Sequence, residues 1–401
     1  MTRSVVASAA DAVGAPAAGP RPDSLAALLG KLQVVVCCGS GGVGKTTVSA
    51  ALAAAIATVY PKRVLVLTID PARRLATALG MTRIGSDPVP VPAAQLRRAG
   101  LQLRGELAAA MLDQKSAWDR MVERYAPNRQ VARRILDNRF YQGISDAFVG
   151  SHEYMAMEAL YELHASGEYD CLVIDTPPSR NALDLLEAPT RISDYVGARL
   201  LTWLARPSRF GFRAMNLAAS PLLRIADRLL GSDVLGELGD FVNDLQTLYG
   251  GVQERARAVS RLLRSSRVGF VVVTTLEPPA FAEAGYFVSK LEEFSMPLRA
   301  VVVNRVLPGF LLEESAIQAA QALIENHGSA ARLARALDAP VDAASLFGLA
   351  GSFSLLSELA RRDARQLPRL ERLTRCPHVQ LPLIPERISD LEGLARMAAM
   401  L

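Results

Sequence analysis

One short glycine-rich segment limits the possible folds of this chain more than any other feature. Residues 39–47 read Gly-Ser-Gly-Gly-Val-Gly-Lys-Thr-Thr and directly follow an almost wholly apolar run at 32–38. The segment matches G-x-x-x-x-G-K-[ST], in which backbone N–H groups turn inward around phosphate oxygens. Lys45 supplies positive charge for the phosphates, and the Thr46 hydroxyl can ligate Mg²⁺. A helix that opens at Lys45 and continues through the alanine-rich residues 48–58 would direct its positive dipole end at the same anion. The pattern predicts a phosphate-binding loop between a buried strand and a helix.

Short apolar runs recur along the chain with helical segments between them. Several are nearly continuous in Val, Ile and Leu, as strands buried on both faces should be. Strands that alternate with helices predict an α/β P-loop fold with a mostly parallel, doubly wound sheet, and ligands at the carboxyl ends of its strands. The runs span residues 32–38, 64–69, 101–103, 171–174, 270–275, 300–303 and 379–384.

Two long stretches interrupt this alternation. Residues 105–168 and 187–266 have helical patterns and no convincing strand, so we expect insertions that together form an α-helical subdomain. Residues 1–30 are rich in Ala, Pro, Gly and Ser and predict a disordered tail. The remaining residues, 31–401, are predicted to form a single P-loop ATPase domain.

Composition predicts a cytoplasmic protein. Half of the 401 residues are hydrophobic and 21% are charged, which is ordinary for a soluble globular protein. The four cysteines form no C-x-x-C pair, and that favours a reducing compartment without a zinc clip. The net charge of +5 comes from dispersed arginines, so no nucleic-acid partner is expected. No apolar run has the length of a membrane-spanning helix.

Two aspartates end predicted strands on the expected phosphate side. Asp70 follows the strand at 64–69, one crossover after the loop, and precedes a proline. A carboxylate in this place can orient or deprotonate an attacking water. Asp175 follows the strand at 171–174. A carboxylate in this position usually holds Mg²⁺ through water and accepts a hydrogen bond from the loop hydroxyl, here that of Thr46. Without the phosphate loop, each would be read as a common turn residue.

Taken in order, these motifs make the chain similar to the arsenite-pump/tail-anchored-protein-targeting ATPase family, within the deviant-Walker-A (MinD-like) class. The resemblance rests on Gly-Gly-Val-Gly-Lys-Thr-Thr at 41–47, Asp-Pro-Ala at 70–72 and Asp-Thr-Pro-Pro at 175–178. Two weaker matches extend it: the strand that ends in Asn304 and the proline loop at 381–386.

The resemblance implies an ATPase with ATP or ADP and Mg²⁺ as ligands, and a role for each matching residue. Asp70 and Lys45 would be catalytic, with Asp70 positioning water. Asn304 and Pro385 would contact adenine, and Thr46 and Asp175 would hold the metal. The implied nucleotide-binding residues of the loop are Gly41, Gly42, Val43, Gly44, Lys45, Thr46 and Thr47.

The resemblance also implies partners. Family members are dimers that close around two nucleotides and present an α-helical surface to a client. We therefore expect a homodimer, or a heterodimer with a paralogous ATPase, that acts on an unidentified client or membrane protein, either in the cytoplasm or peripherally at the membrane.

Three positions depart from the family pattern. The lysine that usually precedes Gly-Gly and reaches the partner's nucleotide is Ser40 here, and a serine cannot deliver a cation across an interface. Arg73 and Asn181 replace two histidines that the family pattern usually carries. A second hypothesis is therefore a weakly active, nucleotide-binding pseudo-ATPase in a heterodimer. A third is a small-molecule phosphotransferase, against which the Asp-Thr-x-Pro motif counts.

The segment at 205–240 alternates arginines with large apolar residues. It is interpreted as a core-facing pair of amphipathic helices. The alternative is a client-binding or membrane-surface groove, in which apolar and basic groups meet.

Overall fold

Eight strands form the centre of this computed structural model. The structure describes residues 24–69, 74–138, 141–142, 152–177, 232–337, 341–384 and 390–401. The strands are β1 Val34–Cys38, β2 Arg63–Thr68, β3 Val89–Pro90, β4 Glu106–Met111, β5 Cys171–Asp175, β6 Val268–Thr274, β7 Leu298–Val306 and β8 His378–Pro382. They build one sheet in the order β3-β4-β2-β5-β1-β6-β7-β8. All pairings are parallel except that of the two-residue edge strand β3 with β4.

Helices cover both faces of this sheet. Every residue of β1, β5 and β6 is buried, which is consistent with their nearly continuous apolar sequences. The α/β P-loop fold with a mostly parallel sheet is therefore confirmed. Numbered in chain order, the helices are α1 Leu25–Leu29, α2 Lys45–Val59, α3 Arg74–Ala78, α4 Ala93–Arg98, α5 Gln114–Tyr125, α6 Arg129–Leu136, α7 His152–Ser166, α8 Ser232–Leu263, α9 Pro278–Glu293, α10 Glu314–Glu325, α11 His327–Ala336, α12 Ala343–Ala364, α13 Leu367–Leu373 and α14 Leu391–Met400.

The strand β4 corrects the sequence analysis. Its residues lie inside the stretch at 105–168 that was predicted to contain no strand, and the strand predicted at 101–103 is not one. The β4 sequence Glu-Leu-Ala-Ala-Ala-Met lacks β-branched residues, so its local preference for a strand is weak. Pairing with β2 over six residues determines its conformation instead.

The disordered tail predicted at residues 1–30 extends too far along the chain. Residues 25–29 form α1, whose Leu25, Ala26 and Leu29 are buried. The Ser24 hydroxyl caps the helix by accepting the Ala27 N–H at 3.1 Å, and the Tyr60 hydroxyl donates to the Ala27 carbonyl at 2.8 Å. The prediction is therefore wrong for residues 24–30, while 1–23 lie outside the described residues.

Helices α5, α6, α7 and α8 pack against one another beside the sheet. An ionic cluster links three of them: Arg255 of α8 donates to both carboxylate oxygens of Glu158 on α7, at 3.0 and 3.1 Å. The Tyr125 hydroxyl of α5 donates to the same carboxylate at 3.0 Å. The predicted α-helical subdomain stays a prediction in its extent, because residues 143–151 and 178–231 lie outside the described part of the chain, together with most of the segment at 205–240.

Candidate nucleotide-binding site

The predicted phosphate loop connects β1 to α2. Three of its glycines have positive φ, at 152° for Gly39, 79° for Gly42 and 91° for Gly44. Residues with a Cβ rarely adopt these angles, so the glycines allow the chain to turn tightly before the helix. Helix α2 begins at Lys45, the residue at which the sequence predicts it to open, and Gly44 is its N-cap. Among the described residues no side chain caps this N-terminus, and its N–H groups point toward the loop.

Asn304 holds this loop from the end of β7. Its Nδ2 donates to the Val43 carbonyl oxygen at 2.8 Å in a buried setting. A Cβ added to Gly44 would lie only 2.4 Å from the same nitrogen. Glycine is therefore required at position 44 by the close approach of Asn304 as well as by its φ. The predicted contact of Asn304 with adenine stays a prediction.

Lys45 is folded back into the loop. Its Nζ donates to the Ser40 carbonyl oxygen at 2.7 Å, and both residues are buried. This bond places an ammonium group beside the glycine backbone that would surround a phosphate. The Ser40 hydroxyl has no hydrogen-bond partner among the described residues. Ser40 thus contributes its carbonyl to the loop, but no cation.

Asp175 ends β5 at the same edge of the sheet and is completely buried. The hydroxyl of Thr68, the last residue of β2, donates to its Oδ2 at 2.9 Å. The parallel register places Thr68 directly opposite Asp175. The sequence did not identify Thr68 as a site residue, because its link to Asp175 depends on the register between β2 and β5. The pair fixes the rotation of a carboxylate close to the loop.

The residues after Asp175 are tied to β1. The Thr176 hydroxyl donates to the Cys37 carbonyl at 2.9 Å and is buried. The Thr176 side chain therefore supports the neighbouring strand β1. Burial also raises the pKa of the Cys37 and Cys38 thiols to about 12, so both remain protonated and unreactive at neutral pH.

Several predicted site residues can be placed and others cannot. Gly41 and Gly42 are exposed at the tip of the loop, Val43 is buried beneath it, and Thr46 and Thr47 are partly exposed on the first turn of α2. The positions that lie outside the described residues are Asp70, Arg73, Asn181 and Pro385. The roles predicted for all of these residues, placed or not, stay predictions.

The described residues fit a nucleotide phosphate with a divalent cation. The loop offers backbone N–H groups and a buried ammonium to an anion, while Asp175 and Thr46 supply hard oxygen ligands. Among the described residues no three His, Cys, Asp or Glu side chains cluster into a metal site. A Mg²⁺ here would therefore depend on phosphate oxygens and water for its remaining ligands, as in other P-loop sites.

Comparison with known proteins agrees with this geometry. The model of the anion-transporting ATPase family matches residues 32–326. This chain belongs to that family. The match begins just before β1 and includes the loop, Thr68, Asp175 and Asn304. The P-loop NTPase fold and a nucleotide-binding site are thus properties of the family, and the family resemblance inferred from the motifs is confirmed.

Individual relatives are similar over most of the chain. The get3 ATPase of Schizosaccharomyces japonicus is 26% identical over 294 residues, which cover 72% of this chain and 79% of the relative. A putative arsenical pump-driving ATPase of Aquifex aeolicus is 25% identical over 275 residues, covering 67% and 79%. An ASNA1 ATPase homologue of Leishmania braziliensis is 28% identical over a shorter span of 234 residues, covering 53% and 54%.

Proposed function

We propose that this chain binds ATP with Mg²⁺, hydrolyses it to ADP and phosphate, and acts as a dimeric switch for a client or membrane partner. The observation that carries the proposal is the position of the Lys45 ammonium. It is held 2.7 Å from the Ser40 carbonyl, inside a glycine loop and at the N-terminus of α2. The family membership supports ATP as the nucleotide.

In this proposal the residues of the site divide nucleotide binding and phosphoryl transfer among them. The loop N–H groups and Lys45 neutralise the charge that develops on the phosphate oxygens. Asp70 orients the attacking water, and Thr46 and Asp175 hold the metal. When bound at these residues, a Mg²⁺ would supply Lewis-acid chemistry to the phosphoryl group. Asn304 holds the loop through Val43 and, with Pro385, contacts the adenine.

Dimerisation is the least constrained part of the proposal. The family resemblance supports it, and the alternative partner is a paralogous ATPase rather than a second copy. Static light scattering of the purified chain, with ADP and with ATP and Mg²⁺, measures it directly. We expect about twice the monomer mass with ATP. A monomer under both conditions would contradict a homodimer and leave the heterodimer to be tested with paralogues from the same genome.

Ser40 favours one alternative, a nucleotide-binding pseudo-ATPase that needs a paralogue for turnover. Its side chain is buried and short, so it cannot place positive charge on a second nucleotide. Phosphate release by the isolated chain separates the two functions. Robust turnover supports the ATPase, whereas tight ATP binding without turnover supports the pseudo-ATPase.

Two site variants test the assignment of residues. Lys45→Ala should weaken ATP binding and lower turnover by at least a hundredfold, because it removes the charge inside the loop. Asp70→Asn should keep ATP affinity and lose turnover to a similar extent, because the water is no longer oriented. Turnover close to wild type in either variant would contradict its role.

Lys62→Ala is the matched control. Lys62 also donates to a backbone carbonyl, that of Gly30 at 2.6 Å, but it lies just before β2, at the opposite end of the strands from the loop. Removing this charge should leave turnover within about twofold of wild type. The products must also be identified, because a phosphorylated small molecule instead of free phosphate would indicate a phosphotransferase.

A further inference from the structure

The longest helix of the carboxyl-terminal part has an apolar face that the rest of the described chain does not cover. Helix α12 packs mainly on α10, α11 and the 3-10 helix Gly309–Leu312, and it contacts these described elements through one side. Leu346, Ala350, Ser357 and Ala360 form its buried stripe. Leu355 lies on the opposite side and is 61% exposed, and Leu349, on the flank of the stripe, is 66% exposed. Single exposed leucines are ordinary, but a group of them on one surface is not.

The exposed residues form one patch. We call it the carboxyl-terminal apolar surface, and its members are Phe310, Leu312, Phe347, Leu349, Leu355 and Leu356, each at least 37% exposed. Phe310 joins the patch from the 3-10 helix, because its ring stacks on that of Phe353 of α12 at 6.4 Å between centroids. At 100° per residue, the four members on α12 spread over about half of the helix circumference. This arc is wider than the narrow seam of a helix pair.

Charge is distributed unevenly along this segment. Residues 343–357 contain no charged side chain. Residues 358–375 then contain six arginines and three acidic residues, a formal excess of three positive charges. Arg362 and Arg365 are exposed and continue the solvent-facing side of α12 beyond Leu355. Part of this charge is paired, since Arg362 lies 2.8 Å from Asp363 and Arg361 lies 3.4 Å from Glu314.

The surface lies mostly outside the part of the chain that the family shares. The family match ends at residue 326, before α12 begins. The span Ala343–Leu373 is also long and apolar enough to cross a membrane by length and composition, yet only 22% of its most apolar window is buried. One side of α12 is nevertheless packed on its neighbours, so a transmembrane orientation would break that packing, whereas contact with a membrane surface would not.

We propose that the carboxyl-terminal apolar surface, with the arginines that follow it, binds the surface of an anionic lipid bilayer. The leucines and phenylalanines would insert at the level of the acyl-chain boundary, and the arginines would contact lipid phosphates. The broad uncharged arc favours lipid over a second copy of this chain, because a specific protein interface needs a polar rim with directional hydrogen bonds. The proposal goes beyond nucleotide hydrolysis and does not depend on it.

Vesicle sedimentation of the full chain tests this proposal. The vesicles are phosphatidylcholine alone and phosphatidylcholine with phosphatidylglycerol. We expect preferential binding to the anionic vesicles, weakened by salt. The double substitution Leu349→Ser/Leu355→Ser should reduce binding to the anionic vesicles by about tenfold or more. Arg362→Gln/Arg365→Gln should reduce binding to anionic vesicles by on the order of tenfold and leave binding to neutral vesicles unchanged.

Tyr286→Ser is the matched control, because Tyr286 is 45% exposed on α9 and lies outside this surface. It should bind vesicles as the wild type does. All variants should keep the wild-type melting temperature and ATP turnover, since the substituted side chains are exposed and lie outside the nucleotide site. Absence of wild-type binding to anionic vesicles would overturn the proposal. The proposal would also be overturned if Leu349→Ser/Leu355→Ser converted a dimer to monomers and left vesicle binding unchanged. That result would identify a second copy of the chain as the occupant of the surface.

Discussion

The hydroxyl of Thr68 donates a hydrogen bond to the carboxylate of Asp175 across 2.9 Å, and both residues are buried. The two residues are 107 positions apart in sequence but directly opposite each other in neighbouring parallel strands. Thr68 lies two residues before Asp70, which is proposed to orient water, and Asp175 is proposed to bind the metal. The hydrogen bond therefore links the strand that leads to Asp70 with the metal-binding carboxylate. Thr68 is therefore a positioning residue for the proposed reaction.

Replacing Thr68 by valine should impair metal-dependent turnover. Valine keeps the β-branched shape of the strand residue but leaves Oδ2 of Asp175 without this donor, which costs about 1–3 kcal/mol in a buried site. We expect ATP turnover to fall about tenfold to a hundredfold, and the Mg²⁺ concentration for half-maximal turnover to rise. The measurement is phosphate release over a titration of Mg²⁺.

Thr68→Ser is the control, since it keeps the hydroxyl and loses only a methyl group. It should restore most of the turnover and the wild-type Mg²⁺ dependence. Affinity for ATP in the presence of EDTA should be the same in all three proteins. If the valine variant lost metal-free ATP binding as well, Thr68 would have a general structural role rather than a positioning one.

Gly44→Ala should destabilise the fold for two separable reasons. Alanine at a φ of 91° is strained, and its Cβ would lie 2.4 Å from the Nδ2 atom of Asn304. Gly42→Ala is the control that introduces backbone strain without a clash. Its φ is 79°, and no described atom lies within 4 Å of the added Cβ. In urea denaturation we expect a loss of about 1–2 kcal/mol for Gly42→Ala and a clearly larger loss for Gly44→Ala.

A double-mutant cycle isolates the contact with Asn304. The substitution Asn304→Ala removes both the clash and the hydrogen bond to Val43, so the combined Gly44→Ala/Asn304→Ala variant should be more stable than the sum of the single effects predicts. Additive effects would show that the loop accommodates the methyl group without moving Asn304.

The parts of the fold that local patterns encode were predictable from the sequence. The loop at 39–47 follows from its own residue types, and the strands β1, β5 and β6 follow from nearly continuous apolar runs. Strand β4 was missed because its three alanines have no strong preference, and pairing with β2 decides its conformation. Helix α1 was missed because five residues in an alanine- and glycine-rich region carry almost no periodic signal.

The contacts within the site show the same division. Lys45, Asp175 and Asn304 were identified from motifs that occupy a few neighbouring residues. The bond from Asn304 to Val43 joins positions 261 apart, and the bond from Thr68 to Asp175 joins positions 107 apart. Such bonds depend on which strands become neighbours and in what register, and that order cannot be read from the local patterns of a single sequence.

Arg255→Ala should destabilise the protein in a pH-dependent way. Glu158 is buried, and burial raises the pKa of its carboxyl group while the charge of Arg255 opposes this increase. Without Arg255 a buried carboxylate loses its shortest ion pair, which costs about 3 kcal/mol. The folded variant then binds a proton more readily than the unfolded chain does, so its stability falls as pH rises above the unfolded pKa of Glu158.

The corresponding experiment is urea denaturation of wild type and variant at pH 5 and pH 8. The loss caused by Arg255→Ala should be larger at pH 8, where Glu158 must either be ionised without Arg255 or take up a proton. Arg134→Ala is the control, because Arg134 forms an equally direct pair with Asp244 at 2.6 Å but is half exposed. It should cause a small loss that does not increase with pH. An equal loss at both pH values for Arg255→Ala would mean that packing on Tyr161, whose ring lies 4.0 Å from the guanidinium, is the larger effect.

The four cysteines should differ sharply in their reactivity toward a thiol reagent. Burial raises the pKa of Cys37, Cys38 and Cys171 to about 12, so these thiols stay protonated at pH 8 and are also shielded from the reagent. Cys376 is partly exposed, with its thiol donating to the Leu298 carbonyl at 3.2 Å. We expect one thiol to react in the native protein and four in denaturant, which a colorimetric thiol titration counts. Cys376→Ser should abolish the native reaction and leave three reactive thiols after unfolding. If Cys376→Ser still reacted in the native state, β1 or β5 would have to open to solvent. A saturating concentration of ATP should then suppress that reaction, because ligand binding favours the closed site.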